Sequence, residues 1–216
     1  MAAQLEIIQC EQNSDEWLRA RLGCITASEL DAVMAKGKGK AKNEPSKTRR
    51  TYMLKLIGER ITGQPAEHFT NKAMERGHEM EPQARELYAL LTDTAPESIG
   101  FLKRGDVGCS PDSLVPTDGG LEIKTKAPHL LAEIILANKM PPEHKHQVQG
   151  SLWIAEREWW DFMAYWPRMP PFIERQYRDE LYINSIQSAV NQFRDEMLEL
   201  LEKIKRFGNP NLKEAA

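Results

Sequence analysis

Apolar positions recur along the chain with two periods. Met74, Gly77, Glu81, Ala84, Tyr88 and Leu91 are spaced 3, 4, 3, 4, 3, which is one face of a helix and predicts helix over residues 70–91. Ile183, Ile186, Val190, Phe193, Met197, Leu200 and Ile204 repeat in the same way. They predict a last helix over about residues 181–207, its stripe packed on a sheet or, alternatively, against another subunit. Further helices are expected at 14–22, 26–35, 48–61, 128–137 and 141–155, the last two with proline near the start. Between them lie short extended runs at 98–102, 107–109, 113–115, 121–125, 158–166 and 172–178. The turn residues Pro116-Thr117-Asp118-Gly119-Gly120 separate two of these runs and predict a hairpin.

Two of these helices carry polar residues that need an explanation. Glu81 is an acid on an otherwise apolar or small-residue face. It is either a buried carboxylate that needs a partner or a metal, or, if the helix restarts at Pro82, a residue beside a helix start. Thr26-Ala27-Ser28-Glu29 has the form of a capping box, and the free N–H groups of such a first turn can hold a phosphate. Arg21 lies just before it; alone, Arg21 fits a surface ion pair and Ser28 an ordinary helix position. Trp153, Trp159, Trp160 and Trp166 cluster in one stretch and are expected in the core rather than on a base-stacking platform.

Composition narrows the class. The chain has 216 residues, 41% apolar and 28% charged, a globular balance that excludes a disordered, collagen-like or disulfide-dense chain. No apolar run approaches the roughly 20 residues of a membrane span, and residues 1–10 lack the pattern of a signal peptide. A soluble, cytoplasmic, single-domain protein is expected. Its three cysteines, Cys10, Cys24 and Cys109, fit no zinc or iron–sulfur spacing. The net charge of −3 hides an asymmetry: residues 34–51 carry +6, leaving −9 on the rest. With Gly37, Gly39 and Pro45 and no apolar period, residues 36–50 are expected to form a mobile basic loop, serving either as a solvated linker or as a grip on a polyanion such as nucleic acid.

The candidate chemistry lies in Pro111-Asp112 and, ten residues on, Glu122-Ile123-Lys124. On a strand Glu122 and Lys124 share a face while Ile123 points the other way, into the core. The intervening turn can fold Asp112 back beside Glu122. Two adjacent carboxylates repel, and a hard cation such as Mg²⁺ between them removes the repulsion. The Ile123 carbonyl can add a third oxygen, and Lys124 can hold an attacking water and meet developing negative charge. The alternative is a solvent-exposed hairpin. His144-Lys145-His146 is a weaker metal candidate, because residues two apart on a helix face apart; both histidines are expected at the surface or facing DNA.

Pro-Asp…Glu-x-Lys resembles the core of the PD-(D/E)XK nuclease superfamily. Residues 17–28, Arg76-Gly77-His78-Glu79-Met80-Glu81, Cys109-Ser110-Pro111-Asp112, Leu121-Glu122-Ile123-Lys124 and Gln147-Val148-Gln149 follow the order seen in lambda-exonuclease-like (YqaJ-type) phage recombination nucleases. The resemblance spans about residues 14–180. It implies an α/β restriction-endonuclease-like core: a central mixed β-sheet flanked by helices, in a single nuclease domain over 1–216. It implies a Mg²⁺-dependent 5′→3′ exonuclease on double-stranded DNA ends, releasing mononucleotides and leaving a 3′ tail for strand annealing.

Residue by residue, the resemblance makes Asp112, Glu122 and the Ile123 carbonyl metal ligands for two Mg²⁺ ions, with Mn²⁺ as a substitute. Lys124, Glu81 and Gln149, with Gln147 as its neighbour, would be catalytic. Arg21, Ser28 and Ser110 would bind the 5′-terminal phosphate. Lys36, Lys38, Lys40 and Lys42 of the basic loop would grip DNA, although Lys38, standing where the phage enzyme is expected to carry Arg, keeps the charge but loses the bidentate fork. Ser113 stands where such enzymes often have Gly. A ring-shaped homotrimer, a single-strand annealing protein as partner, and a phage or prophage gene in a bacterial host are also implied. The alternatives are an endonuclease of the same superfamily and a non-enzymatic DNA-binding module. The iron–sulfur branch of the superfamily is excluded by the missing fourth cysteine.

Overall fold

In the computed structural model, which describes residues 3–37, 46–66 and 72–207, with side chains from 75 onward in the last stretch, the elements follow the two periods closely. The order is β1 (Leu5–Ile8), α1 (Asp15–Arg21), β2 (Ile25–Thr26), α2 (Leu30–Met34), α3 (Lys47–Thr62), α4 (Lys72–Thr92), β3 (Phe101–Arg104), β4 (Val107–Cys109), β5 (Ser113–Val115), β6 (Gly119–Thr125), α5 (Pro128–Ala137), α6 (Lys145–Ala155), β7 (Trp159–Tyr165), β8 (Phe172–Tyr177) and α7 (Glu180–Lys205). Three helix starts, those of α1, α3 and α7, are satisfied by side chains. Ser14 Oγ accepts from Trp17 N at 3.2 Å, Ser46 Oγ from Arg49 N at 3.1 Å and Asp179 Oδ1 from Tyr182 N at 3.1 Å.

The strands form two four-stranded sheets, ordered β1-β3-β4-β2 and β5-β6-β7-β8. The second is the expected mixed sheet. β5 and β6 are the expected antiparallel hairpin, β6 runs parallel to β7, and β7 antiparallel to β8. Alternation then sorts its side chains. Leu121, Ile123, Met163 and Tyr165 pack with Ala84 and Tyr88 of α4. Trp160, Phe162 and Ala164 face the larger core, with Leu131 of α5 and Val148 and Leu152 of α6. Helix α6 also packs on β3 and β4, so one helix spans both sheets. Trp160 is fully buried, and Trp153, Trp159 and Trp166 pack against core clusters, as expected of core tryptophans.

Several expectations are corrected. The helix over 26–35 is broken: Thr26 is extended because β2 pairs in parallel with β4, and a 3₁₀ turn over Ala27–Glu29 precedes the short α2. Thr26 makes no side-chain cap bond, so the capping box and its phosphate-holding first turn do not form. Strand β1 had no predicted counterpart; its register along β3 supplies the long-range pairing that a four-residue run does not announce. Helix α4 runs through Pro82 without restarting, leaving Glu81 in mid-helix, and Leu91 is exposed rather than on a buried face. The 141–155 segment divides into a 3₁₀ turn, Pro142–His144, and α6. Helix α7 lies on α2, α3 and α6 rather than on a sheet, and Leu201 replaces Leu200 and Ile204 at the end of its buried stripe. Among the described residues no helix is long and apolar enough to cross a membrane.

The entry of β6 into the sheet tolerates no side chain at Gly120. A Cβ there would lie 2.3 Å from the ring of Trp160, which is fully buried and has no free side to move to. Gly120→Ala is therefore expected to cost about 1–3 kcal/mol, seen as a melting temperature lower by several degrees. An unchanged melting temperature would show that the ring can give way.

Candidate active site

The β5–β6 hairpin brings the two ends of the Asp…Glu-x-Lys pattern together through main-chain bonds. Asp112 N donates to Leu121 O at 3.2 Å, and Asp112 Oδ2 accepts from Ile123 N at 2.5 Å. The carboxylate is thereby pinned to the strand that carries the other two groups. On β6 the alternation places Glu122 and Lys124 on one face: Glu122 Oε1 meets Lys124 Nζ at 2.5 Å and accepts from Gln147 Nε2 of α6 at 2.7 Å. Glu122 is buried, so the hairpin is not a solvent-exposed one.

A third acid arrives from α4. Glu81 is half-buried and ion-paired to Arg85 one turn on, with His78 Nδ1 at 4.0 Å. Arg85 was not singled out from the sequence, although a Glu–Arg pair at i,i+4 is a usable signal. Its Nε donates to Ser113 Oγ at 2.9 Å and its Nη2 to Asp112 O at 3.1 Å. Arg85 thus ties the helix carrying Glu81 to the strand end carrying Asp112.

The electrostatics follow from crowding. Burial, then the charges of Glu122 and Glu81, push the Asp112 carboxyl well above the usual carboxylate range. Burial likewise raises Glu81, against the opposing pull of Arg85 and His78. Burial alone would lower Lys124, but Glu122 and Asp112 outweigh it and raise the ammonium above its ordinary value. A desolvated cluster of acids short of positive charge suits a cation. Two carboxylates and a main-chain carbonyl make an all-oxygen donor set of the kind Mg²⁺ takes alongside its waters. Among the described residues no three His, Cys, Asp or Glu side chains gather as a ready metal cage.

Two of the three expected phosphate ligands, Arg21 and Ser110, meet beside the acids. Ser110 Oγ accepts from Trp17 Nε1 at 2.9 Å and from Arg21 Nη1 at 3.1 Å. The Arg21 guanidinium stacks over the Trp17 ring, 4.0 Å from its centroid. Ser28 Oγ lies 3.2 Å from Thr26 Oγ1. Arg21, Ser28, Glu81 and Asp112 line one cleft of about 1130 Å³. Ser28 also lines a second cavity of about 310 Å³ onto which Lys124 and Gln147 open.

Gln149 does not join this group. Its Nε2 donates to Tyr177 O and its Oε1 accepts from Asp179 N, both at 2.9 Å, so it braces the start of α7. Gln147 is the glutamine on Glu122, because positions two apart on a helix face apart. His144 and His146, expected at the surface or facing DNA, are both half-buried. His144 stacks on Phe162 and lies 3.0 Å from Lys126 Nζ, and burial followed by Lys126 and Lys124 lowers it to about 4. His146 pairs with Asp31 at 2.6 Å. Lys36 is exposed; Lys38, Lys40 and Lys42 lie outside the described residues.

With this geometry in hand, the comparisons with known proteins are specific. The YqaJ-like viral recombinase domain matches residues 16–158. An alkaline exonuclease from Laribacter hongkongensis, LHK-Exo, superposes with a TM-score of 0.80 at 34% identity, over 89% of this chain and 97% of that one. The same enzyme in complex with dAMP gives 0.79 at 34% identity, with the same coverage. A phage related exonuclease from Haemophilus somnus shares the fold, with a TM-score of 0.63 at 16% identity, over 84% of this chain and 96% of that one. No curated protein matches the sequence.

The raised Asp112 sets a sign for stability. Unfolded, the carboxyl ionises at its ordinary value; folded, it holds its proton to higher pH. The native state therefore binds more protons in that window, and stability falls as pH rises through it. Asp112→Asn, which keeps the acceptor for Ile123 N–H, is expected to melt higher than the parent at neutral pH in metal-free buffer, and the gain should shrink below the unfolded carboxyl value. An Asn variant that melts lower at neutral pH would show that the charge is compensated in the fold.

Proposed function

The chain belongs to the YqaJ-like viral recombinase domain family and is a nuclease, and from that premise we propose that it is a Mg²⁺-dependent 5′→3′ exonuclease of duplex DNA ends. It would release mononucleotides and leave a 3′ single-stranded tail for a strand-annealing partner. The observation that carries the reading is that Arg21 and Asp112 line one cleft, so a group that can hold a terminal phosphate stands on the same wall system as the acidic cluster. The dAMP found with LHK-Exo is a 5′-mononucleotide, the product class proposed here.

Asp112, Glu122 and the Ile123 carbonyl would hold Mg²⁺, two ions in the full site, with Mn²⁺ able to substitute. Bound there, the metal would supply an acidified water and neutralise charge on the phosphodiester. The chain's own residues account for the rest. Lys124, kept protonated by its acid neighbours, donates to the attacking water and to the phosphoryl oxygens as negative charge grows. Gln147 fixes Glu122 through a 2.7 Å bond, so that one carboxylate oxygen keeps a set direction. Arg21 and Ser110, joined at 3.1 Å, with Ser28 lining the same cleft as Arg21, would take the 5′-terminal phosphate and so place the first internucleotide bond at the acids. Lys36 and the basic residues after it would hold the duplex. A homotrimeric ring and action in the cytoplasm of a bacterial host, from a phage or prophage gene, complete the reading.

The test is digestion of linear duplex DNA with Mg²⁺, with each strand end labelled in turn and 5′-phosphate compared with 5′-hydroxyl ends. The expected result is loss of the 5′ label as mononucleotide, faster from the phosphorylated end. Internal fragments only, or cutting of closed circular plasmid at the linear rate, would make it an endonuclease. DNA binding without metal-dependent loss would make it a binding module. Lys124→Ala is expected to slow cleavage by about 100-fold or more with circular dichroism unchanged; full activity would remove Lys124 from the chemistry.

A further inference from the structure

Arg21 and Ser28 sit on opposite ends of a short connecting segment, residues 22–27, whose shape sets the distance between them. Three side chains of α3 grip the main chain of that segment. Glu59 Oε2 accepts from Gly23 N at 2.9 Å. Arg60 donates to Gly23 O from Nε at 2.9 Å and from Nη2 at 2.7 Å. Tyr52 Oη accepts from Thr26 N at 3.1 Å and donates to Cys24 O at 3.4 Å. Gly23 has φ +65, and a Cβ there would meet Arg60 Cγ at 2.6 Å, so the left-handed turn and the arginine stem are fitted to each other. Arg60 also reaches Asp106 Oδ1 at 3.0 Å, and Asp106 O accepts from Ile25 N at 2.8 Å.

Tyr52 and Glu59 are both buried and line the same cleft as Arg21 and Ser28. Neither suits a direct phosphate contact. The Glu59 carboxylate has the wrong charge, and its second oxygen is engaged by Ala66 N at 3.2 Å. The Tyr52 hydroxyl is used up by the main chain. Burying a carboxylate is a poor way to gain stability, and a set geometry is what this one secures. Helix α3 is itself anchored to α7 by the paired guanidinium and carboxylate of Arg49 and Glu196 and by the Tyr52 and Phe193 rings, 5.6 Å apart.

We infer that Tyr52 and Glu59 are positioning residues that hold Arg21 and Ser28 at phosphate-binding separation, and so set the preference for a 5′-phosphorylated end. The inference rests on the phosphate pocket of the proposed function. A pocket for one phosphate needs its donors placed to within about 0.5 Å, and the main-chain bonds to Gly23 and Thr26 fix both ends of the segment.

Tyr52→Phe and Glu59→Gln test this, with kcat and KM measured on duplexes ending in 5′-phosphate and in 5′-hydroxyl. The expected result is a phosphate-over-hydroxyl selectivity lowered about tenfold, the change of roughly one misplaced hydrogen bond. It should arise mainly from a higher KM for the phosphorylated end, with the hydroxyl end unchanged. Equal losses on both ends would mean a purely structural role and overturn the inference. Should Glu59→Gln fail to fold, Tyr52→Phe, which removes one hydroxyl, decides alone. A parent enzyme without phosphate preference would overturn the pocket and the inference together. A parent preference that both variants keep would overturn the inference alone.

Discussion

A carboxylate taken out of water needs partners, and the bond from Ile123 N–H to Asp112 Oδ2 is the one from which the rest of the site is arranged. It joins the loop before β5 to the middle of β6, so the acid cannot drift from the strand that carries Glu122 and Lys124. Both sheet faces then have fixed tasks. One face of β6 puts Ile123 and Leu121 against α4, which carries Glu81. The other puts Glu122 against Gln147 of α6. Two helices are thus indexed to one strand, and side-chain alternation converts a three-residue motif into a meeting point of four elements.

Acid crowding of this kind opposes folding, and its partial neutralisation shows how the chain manages it. Lys124 touches Glu122 and faces Asp112, while Arg85, from another element, pairs with Glu81 and bonds the main-chain carbonyl of Asp112. Charge that remains unbalanced is what makes an oxygen-rich site attractive to a divalent ion, since the ion relieves repulsion that the fold has left in place. The side proposed for the terminal phosphate is built on the opposite logic. Arg21 is stacked on Trp17 and bonded to Ser110, so a cation is held ready in a partly desolvated wall whose burial lowers its own proton affinity.

Legibility in the sequence followed range of interaction. Helices with two or more turns of periodic apolar residues, α3, α4, α5 and α7, were readable to within a few residues, as was the β5–β6 hairpin, where turn residues and alternation agree. The meeting of Asp112, Glu122 and Lys124 was readable because it depends on one hairpin. What failed depended on distant partners. Residues 5–8 become a strand only because β3 is there to pair with, and Thr26 leaves the helical pattern only because β4 and Tyr52 claim its main chain. Gln147 and Gln149 could not be ranked without knowing which face of α6 meets β6, since the apolar residues around them, Val148 and Leu152, serve the core on the same helix.

Ser113 shows how a local departure becomes legible only through its neighbours. From the sequence it was a residue standing where glycine is frequent, with no assigned task. In the fold its hydroxyl donates to Asp112 O at 2.6 Å and accepts from Arg85 Nε at 2.9 Å, while Arg85 holds Glu81 and the same Asp112 carbonyl. The serine therefore closes a ring of bonds around the strand end that presents Asp112. A glycine would leave Arg85 with one partner fewer and the Asp112 carbonyl with one donor fewer. Because Ser113 is fully buried, water would not readily replace either bond. The third acid and the first, which already act on each other through their charges, are then also tied through Arg85 and Ser113, and the tie runs between a helix and a strand more than 25 residues apart in the chain.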